Sequence, residues 1–269
     1  VLARSRLLSR EEPALGAALA DYLRGEGIDV RLGVTIDRVD GVAGALCVQY
    51  SDERGSHAID ADHVLVALGR RPNTAGLGLA DAGIATGPRG EILVDEHLRT
   101  TRSGVYAAGD VTGGPAFVYV AAYAGRLAAE HALTGNAEPY DLSIVPRVTF
   151  TDPALAAVGL TETEARARGI DTLVSELPMS HVPRAVAARD TRGVVKLVAD
   201  AASRRLVGAH ILAPEAGDIV QQAALAIRFG ARIDDLARML HPYLTNAEAI
   251  KLACQSFDKD VSKLSCCAA

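Results

Sequence analysis

Cysteine is scarce in this sequence. Four in 269 residues are too few for a disulfide scaffold of this size. Basic excess is lacking as well. The formal net charge is -5, whereas a protein built to grip nucleic-acid phosphates shows the opposite imbalance. No run approaches the roughly 18 apolar residues that cross a bilayer, since the longest candidate, AFVYVAAYAGRLAAEHAL, is interrupted by Arg126 and Glu130. The opening VLARSRLLSR lacks the charged-then-apolar order of a signal peptide. Internal repeats and low-complexity tracts are also missing. Together these absences point to a reduced, cytoplasmic protein with neither nucleic acid nor membrane as partner.

What is present is substantial. The chain is 49% hydrophobic, enough for a large core and more than one domain. Val1 is not a methionine and begins on what reads as the end of a β-strand, so a fragment with sequence missing upstream is expected.

Periodicity organises the chain. SREEPALGAALADYLRGEGI reads as a helix, with Ser9 and Glu12 as a capping box, Pro13 in the first turn and Gly25 or Gly27 at its end. Leu15, Ala18, Leu19 and Tyr22 fall on one face. IDVRLGV and the stretch to Ile59 read as short strands joined by Gly and Asp turns. HVLVALGRRPN, continuously apolar at first, predicts a strand buried on both faces. GEILVDEHLRTTRSGVYAAGD predicts two more strands, and PAFVYVAAYAGRLAAEHALTG a long helix stopped by Gly135. NAEPYDLSIVP reads as a domain junction. Beyond it come strands, a short helix boxed by Thr161 and Glu164, a hairpin from Gly193 to Ala213, and three helices. That order, strands first and helices behind, is an α+β domain.

Four stretches carry candidate chemistry. In TTRSGVYAAGD, Gly109 lets backbone approach a ligand closely and Asp110 can accept a hydrogen bond from a ribityl or ribose hydroxyl. The helix starting near Phe117 and Val118 presents amides that favour negative charge. The same Gly-Asp pair also serves as a simple turn. Gly69, followed by Arg70, Arg71 and Pro72, permits a sharp exit from the preceding strand. Arg4, with Arg6 nearby, ends a strand where arginine suits the 2′-phosphate of NADP, though both also suit a solvated surface. HPYLTNAEAIKLACQSF begins with His241, carries Tyr243 and Glu248, and has Thr245 placed to cap the following helix in a box with Glu248. Cys47 and Cys254 read as core thiols. Cys266 and Cys267 form an adjacent pair near the carboxyl end; a bridge between neighbours closes a strained ring, so reduced thiols are expected.

TTRSGVYAAGD resembles the second flavin motif of FAD-dependent oxidoreductases, and HVLVALGRRPN their A-T-G-x-x-P-N-like turn, with Leu68 in place of Thr. HPYLTNAE resembles the H-P-H-P-T-x-x-E stretch of the pyridine nucleotide-disulfide oxidoreductases, with Tyr243 standing where their acid/base His would be. A phenol titrates near pH 10, so it is a poor proton shuttle at neutral pH but a good hydrogen-bond donor. The Tyr substitution, QSFDKDVSKLSCC and the terminal Cys-Cys together resemble the mercuric reductases over essentially the whole chain.

The resemblance implies an α/β protein: partial Rossmann-like nucleotide- and FAD-binding domains followed by an α+β dimerisation domain. Residues 1–72 would end the NADPH-binding domain, 73–142 the FAD-binding domain, and 143–269 would form the dimerisation domain with its tail. It implies a homodimer with its site at the subunit interface, FAD and NADPH as cofactors, and Hg(II) as substrate. Cys266 and Cys267 would capture and deliver Hg(II). Tyr243 would line the transfer path and Glu248 would support it. Gly109, Asp110 and Val118 would contact FAD; Gly69 and Arg4 would serve NADPH. The family's C-x4-C pair and Gly-rich fingerprints do not occur in the chain, so the fragment alone is expected to be inactive. The rival readings are a dihydrolipoamide dehydrogenase-like flavoprotein, against which Tyr243 argues, and a non-catalytic dimer that binds thiophilic metals.

Overall fold

A computed structural model describes residues 1–136 and 138–260. Its first strand, β1 (Leu2–Ala3), runs into helix α1 (Pro13–Gly25) and returns parallel to itself as β2 (Arg31–Leu32). Pro13 opens α1 at a position where its missing N–H costs nothing. Leu15 and Leu19 are buried, with Ala18 and Tyr22 packed beside them, on the face the spacing predicts. The predicted Ser9–Glu12 box does not form: no side chain caps α1, and Glu12 turns its carboxylate into a buried ion cluster instead. Three antiparallel strands follow as a meander, β3 (Thr35–Val42), β4 (Ala45–Asp52) and β5 (Gly55–Ala61).

The expected strand over HVLVALGRRPN is absent. Residues 63–72 adopt no regular structure, and Leu65 is 92% exposed. A continuous apolar run becomes a strand only when others pair along its edges, and none of the described residues pairs with it. The two strands expected within residues 91–108 are likewise reduced to isolated bridges, Thr86 with Ile92 and Arg99 with Tyr106. Helix α2 (Val118–Thr134) forms as predicted, ended by Gly135 in the left-handed conformation. Its Ala124, Leu127 and Ala128 pack on Leu98 to make a small core.

After the junction comes a five-stranded antiparallel sheet in the order β6-β7-β10-β9-β8, made of β6 (Arg147–Thr149), β7 (Ala154–Gly159), β8 (Thr172–Pro178), β9 (Val194–Asp200) and β10 (Leu206–Ala213). Between and behind these strands lie α3 (Glu162–Ala167), α4 (Pro183–Ala188), α5 (Ala216–Arg228), α6 (Ile233–Arg238) and α7 (Glu248–Gln255). Thr161 and Glu164 make the predicted capping box on α3. The strands alternate. Ala156, Val158, Val195, Leu197, Ala209 and Ile211 turn to the helices behind the sheet, while Leu155 and Leu212 turn the other way and meet Leu15 and Leu19 of α1. Both faces are therefore covered.

The chain forms two compact units. Val1–Val64 joins the chain from Ile144 onward in one, and Leu65–Ser143 makes the other. The first is united by α1, which docks on the free face of the five-stranded sheet. Besides its leucines, the Tyr22 hydroxyl accepts the Gly193 N–H at 2.9 Å, and Arg192 pairs with Glu26 at 2.7 Å.

Two tests follow from this packing. A Cβ at Gly208 would come within 1.9 Å of the Leu160 carbonyl oxygen across the sheet. Gly208→Ala is expected to lower stability by about 2 kcal/mol or more, read as a fall in the urea midpoint. Burial pushes the Cys254 thiol up to about 12, against an unfolded value near 8.5. The folded thiol keeps its proton to higher pH than the unfolded one. Stability is therefore lost as pH rises above roughly 8.5, by up to about 1.4 kcal/mol per unit. Cys254→Ala should flatten that alkaline slope in unfolding curves collected between neutral pH and pH 10.

Candidate functional site

Within Leu65–Ser143, three pieces of backbone converge. Gly109 adopts φ 83°, ψ -155°, a conformation open only to glycine, and a Cβ there would come within 3.1 Å of Ala121 on α2. The chain thus passes close to α2 at a residue that carries no side chain. Asp110 follows on a single 3-10 turn, fastened by the Thr112 hydroxyl donating to Gly109 O at 2.8 Å. Arg70 reaches across from the other loop, donating to Asp110 Oδ2 at 3.3 Å and to Ala116 O at 3.4 Å. That contact joins the Gly69 turn, where φ is +108°, to the Gly109–Asp110 turn and the approach to α2.

Phe117, the N-cap of α2, makes no side-chain cap hydrogen bond, and Val118 is 87% exposed. The uncapped amides and the positive end of the helix dipole suit an electron-rich ligand edge. A glycine without a side chain beside α2, the Asp110 carboxylate and a helix start without a side-chain cap are the groups here that could hold the ribityl chain and pyrimidine edge of a flavin. The structure thus gathers Gly109, Asp110, Val118 and, through Arg70, Gly69. Arg70's pairing with Asp110 was not legible in the sequence, since forty positions separate them and only the tertiary fold closes the gap.

The other candidates lie elsewhere. Arg4 is exposed just beyond β1, whereas Arg6 is spent locally, donating to the carbonyl oxygens of Ser9 at 2.7 Å and Glu11 at 3.0 Å. Tyr243 is 61% exposed on the segment between α6 and α7. Glu248 starts α7 and is only 2% exposed, with Oε2 lacking a partner among the described residues. The predicted Thr245–Glu248 box is not made: Ala247 is the cap, and the Thr245 hydroxyl donates instead to Pro242 O at 2.9 Å. His241 is held by Gln222 Nε2, which donates to its Nε2 at 2.6 Å, while its Nδ1 faces Met239 O at 3.2 Å. Gln222 is a second anchor that sequence patterning does not reveal. Cys266 and Cys267 lie outside the described residues. Cys47 is half-buried and Cys254 buried, both as free thiols. No helix among the described residues is long and apolar enough to cross a membrane.

Comparison with known proteins agrees with this layout. The model of the pyridine nucleotide-disulphide oxidoreductase family matches residues 1–125, and that of the family's dimerisation domain matches residues 145–254. The chain is 48% identical to a mercuric reductase of Streptomyces lividans over 98% of its own length and 56% of that protein's. It is 47% identical to one from Bacillus cereus, over 98% and 42%, and 46% identical to one from Shigella flexneri, over 100% and 47%. It thus spans about half the length of the curated relatives it matches. Among solved structures it is similar to the HOCl-induced flavoprotein disulfide reductase RclA from Escherichia coli, with TM-score 0.85 and 31% identity, over 94% of this chain and 58% of that one. With one family model matched over residues 1–125 and the dimerisation-domain model over 145–254, the chain belongs to the pyridine nucleotide-disulphide oxidoreductase family.

Proposed function

We propose that the chain is the carboxyl-terminal part of a cytoplasmic, homodimeric NADPH:mercury(II) oxidoreductase that uses FAD. The balance is NADPH + Hg(II) → NADP⁺ + H⁺ + Hg(0), a two-electron transfer. Residues 1–72, 73–142 and 143–269 are assigned to its nucleotide, flavin and dimerisation domains. What supports the reading is Tyr243, which by the resemblance takes the place of the acid/base His, within a chain similar along nearly its whole length to proteins named mercuric reductase. Without that His, dithiol–disulfide exchange loses its proton shuttle, while delivery of a metal ion needs none.

FAD, when bound, supplies the passage of electrons from a hydride donor to a thiol-bound acceptor. The chain's own residues do the rest. Gly109 clears the approach, Asp110 accepts hydrogen bonds from hydroxyls, and the α2 start at Val118 offers amides to negative charge. Arg4 with its exposed guanidinium meets the 2′-phosphate of NADPH, and Gly69 opens the turn on that side. Adjacent soft sulfurs at Cys266 and Cys267 select a thiophilic cation and release it by exchange. Tyr243 donates a hydrogen bond along the transfer path, and Glu248, with its unpartnered oxygen, accepts one beside it. The redox cysteine pair this reading requires is not among the 269 residues, so the chain alone should not turn over. Leu225, Phe229 and Leu240, exposed apolar side chains within the dimerisation domain, support its being covered by a second copy.

In the full-length enzyme, Cys266→Ala with Cys267→Ala is expected to slow turnover of Hg(II) supplied as a thiol complex by roughly tenfold or more, with flavin reduction by NADPH preserved. Equal rates would remove the delivery role. Arg4→Ala should raise KM for NADPH by roughly tenfold or more, the loss of a charge-assisted hydrogen bond, and leave that for NADH unchanged. Headspace detection of elemental mercury during NADPH oxidation tests the reaction itself.

A further inference from the structure

Two consecutive glutamates at the foot of α1 plug into the five-stranded sheet. Glu11 pairs with Arg147 of β6 through both oxygens, at 3.1 and 3.1 Å. Glu12 accepts the Glu162 backbone N–H at 2.7 Å on one oxygen and Lys196 Nζ at 3.0 Å on the other. Lys196, on β9, also reaches Glu162 at 2.8 Å and Glu176 of β8 at 3.4 Å. Its side chain is 7% exposed and that of Glu12 3%. His210 is its cross-strand neighbour on β10. Burial lowers the His210 pKa, so the ring stays neutral and adds no charge against Lys196. Burial alone would pull the ammonium of Lys196 down, but Glu162 and Glu12 outweigh it and raise it, so Lys196 remains charged.

Holding α1 on the sheet does not by itself require this cluster. Apolar side chains of similar volume often hold a protein together as well as a buried ion group does, and Leu15 and Leu19 already dock α1 on the same sheet face. What the cluster adds is direction. Hydrogen bonds to both Glu12 oxygens fix where α1 begins, and therefore where the loop before it ends. That loop, residues 4–10, carries exposed Arg4 and Arg10 and is cinched internally by Arg6.

We propose that Lys196 is a positioning residue for the pyridine nucleotide: by holding Glu12 it sets, from the dimerisation sheet, the loop whose arginine meets the nucleotide's phosphate. The proposal rests on the assignment of Arg4 to NADPH. Calorimetric titration of the oxidised full-length enzyme with NADP⁺, and stopped-flow flavin reduction at graded NADPH, test it. Lys196→Met alone strands buried carboxylates and can fail to fold, so the informative variant is Glu12→Met with Lys196→Met, which replaces the pair by packing apolar groups. We expect a Kd for NADP⁺ and a half-saturating NADPH concentration each raised about tenfold, with the limiting rate of reduction within about twofold of wild type. Lys196→Arg should restore most of the affinity, and Glu176→Gln, which alters only the cluster's exposed rim, should change neither constant. A folded double variant with wild-type nucleotide affinity overturns the proposal. A wild-type enzyme that binds NADP⁺ while Arg4→Ala leaves its affinity unchanged overturns the Arg4 assignment and this inference with it; unchanged affinity in the double variant alone overturns only the latter.

Discussion

The contact between α1 and the free face of the five-stranded sheet is the constraint on which most of the larger unit depends. Sheet strands that bury only one face show alternating apolar and polar residues, yet β7, β9 and β10 are buried on both. Their second face is dry because Leu15 and Leu19 cover Leu155 and Leu212. Covering that face also traps Lys196 and His210 away from water. A trapped ammonium requires carboxylate partners, and Glu12 and Glu162 supply them. The apolar contact thus makes the ion cluster necessary, and the cluster in turn orients the apolar contact.

This arrangement ties Glu11 and Glu12 to residues 136 and 184 positions later in the chain. The loop bearing Arg4 hangs from the same helix whose foot is held by Lys196 and Arg147. The candidate flavin-side turn at Gly109–Asp110 belongs to the other unit and is stabilised by its own means. Arg70 bridges its two loops, and Leu98 packs beneath α2. Each unit therefore positions its candidate residues through internal contacts of a different kind, charge and apolar docking in one, a close glycine approach and a surface ion pair in the other.

Much of the secondary structure was readable where neighbours in sequence settle it. The apolar face of α1, the glycine stop of α2 and the Thr161–Glu164 box depend on residues three or four apart, and all three form. The misreadings share a cause. Ser9 and Glu12 have capping-box spacing, but Lys196 offers Glu12 a stronger partner than the helix amide does. Thr245 and Glu248 have it too, yet Glu248 is drawn into the interior. The apolar run at residues 63–72 spells a strand, but a strand exists only through its neighbours, and those described here do not pair with it. The Gly109–Asp110 turn was legible because glycine's conformational freedom is a property of one residue. Arg70, Gln222 and Lys196 were not, because an arginine, a glutamine or a lysine carries no mark of its distant partner.

The sequence by itself determined the residue types on which the proposed chemistry draws: the glycine turn before Asp110, the tyrosine at position 243, and four thiols of which two are adjacent. It also determined most helices and the antiparallel hairpin of β9 and β10, since their periodicities are local. Only the tertiary structure decided that Glu12 at the start of its helix meets Lys196, that Arg70 closes on Asp110, and that Glu248 is buried with an oxygen unanswered among the described residues. The physical reason is range. Backbone periodicity is fixed over a few residues, whereas an ion pair or an orphaned carboxylate is defined by what the completed fold brings within about 3 Å and shields from water.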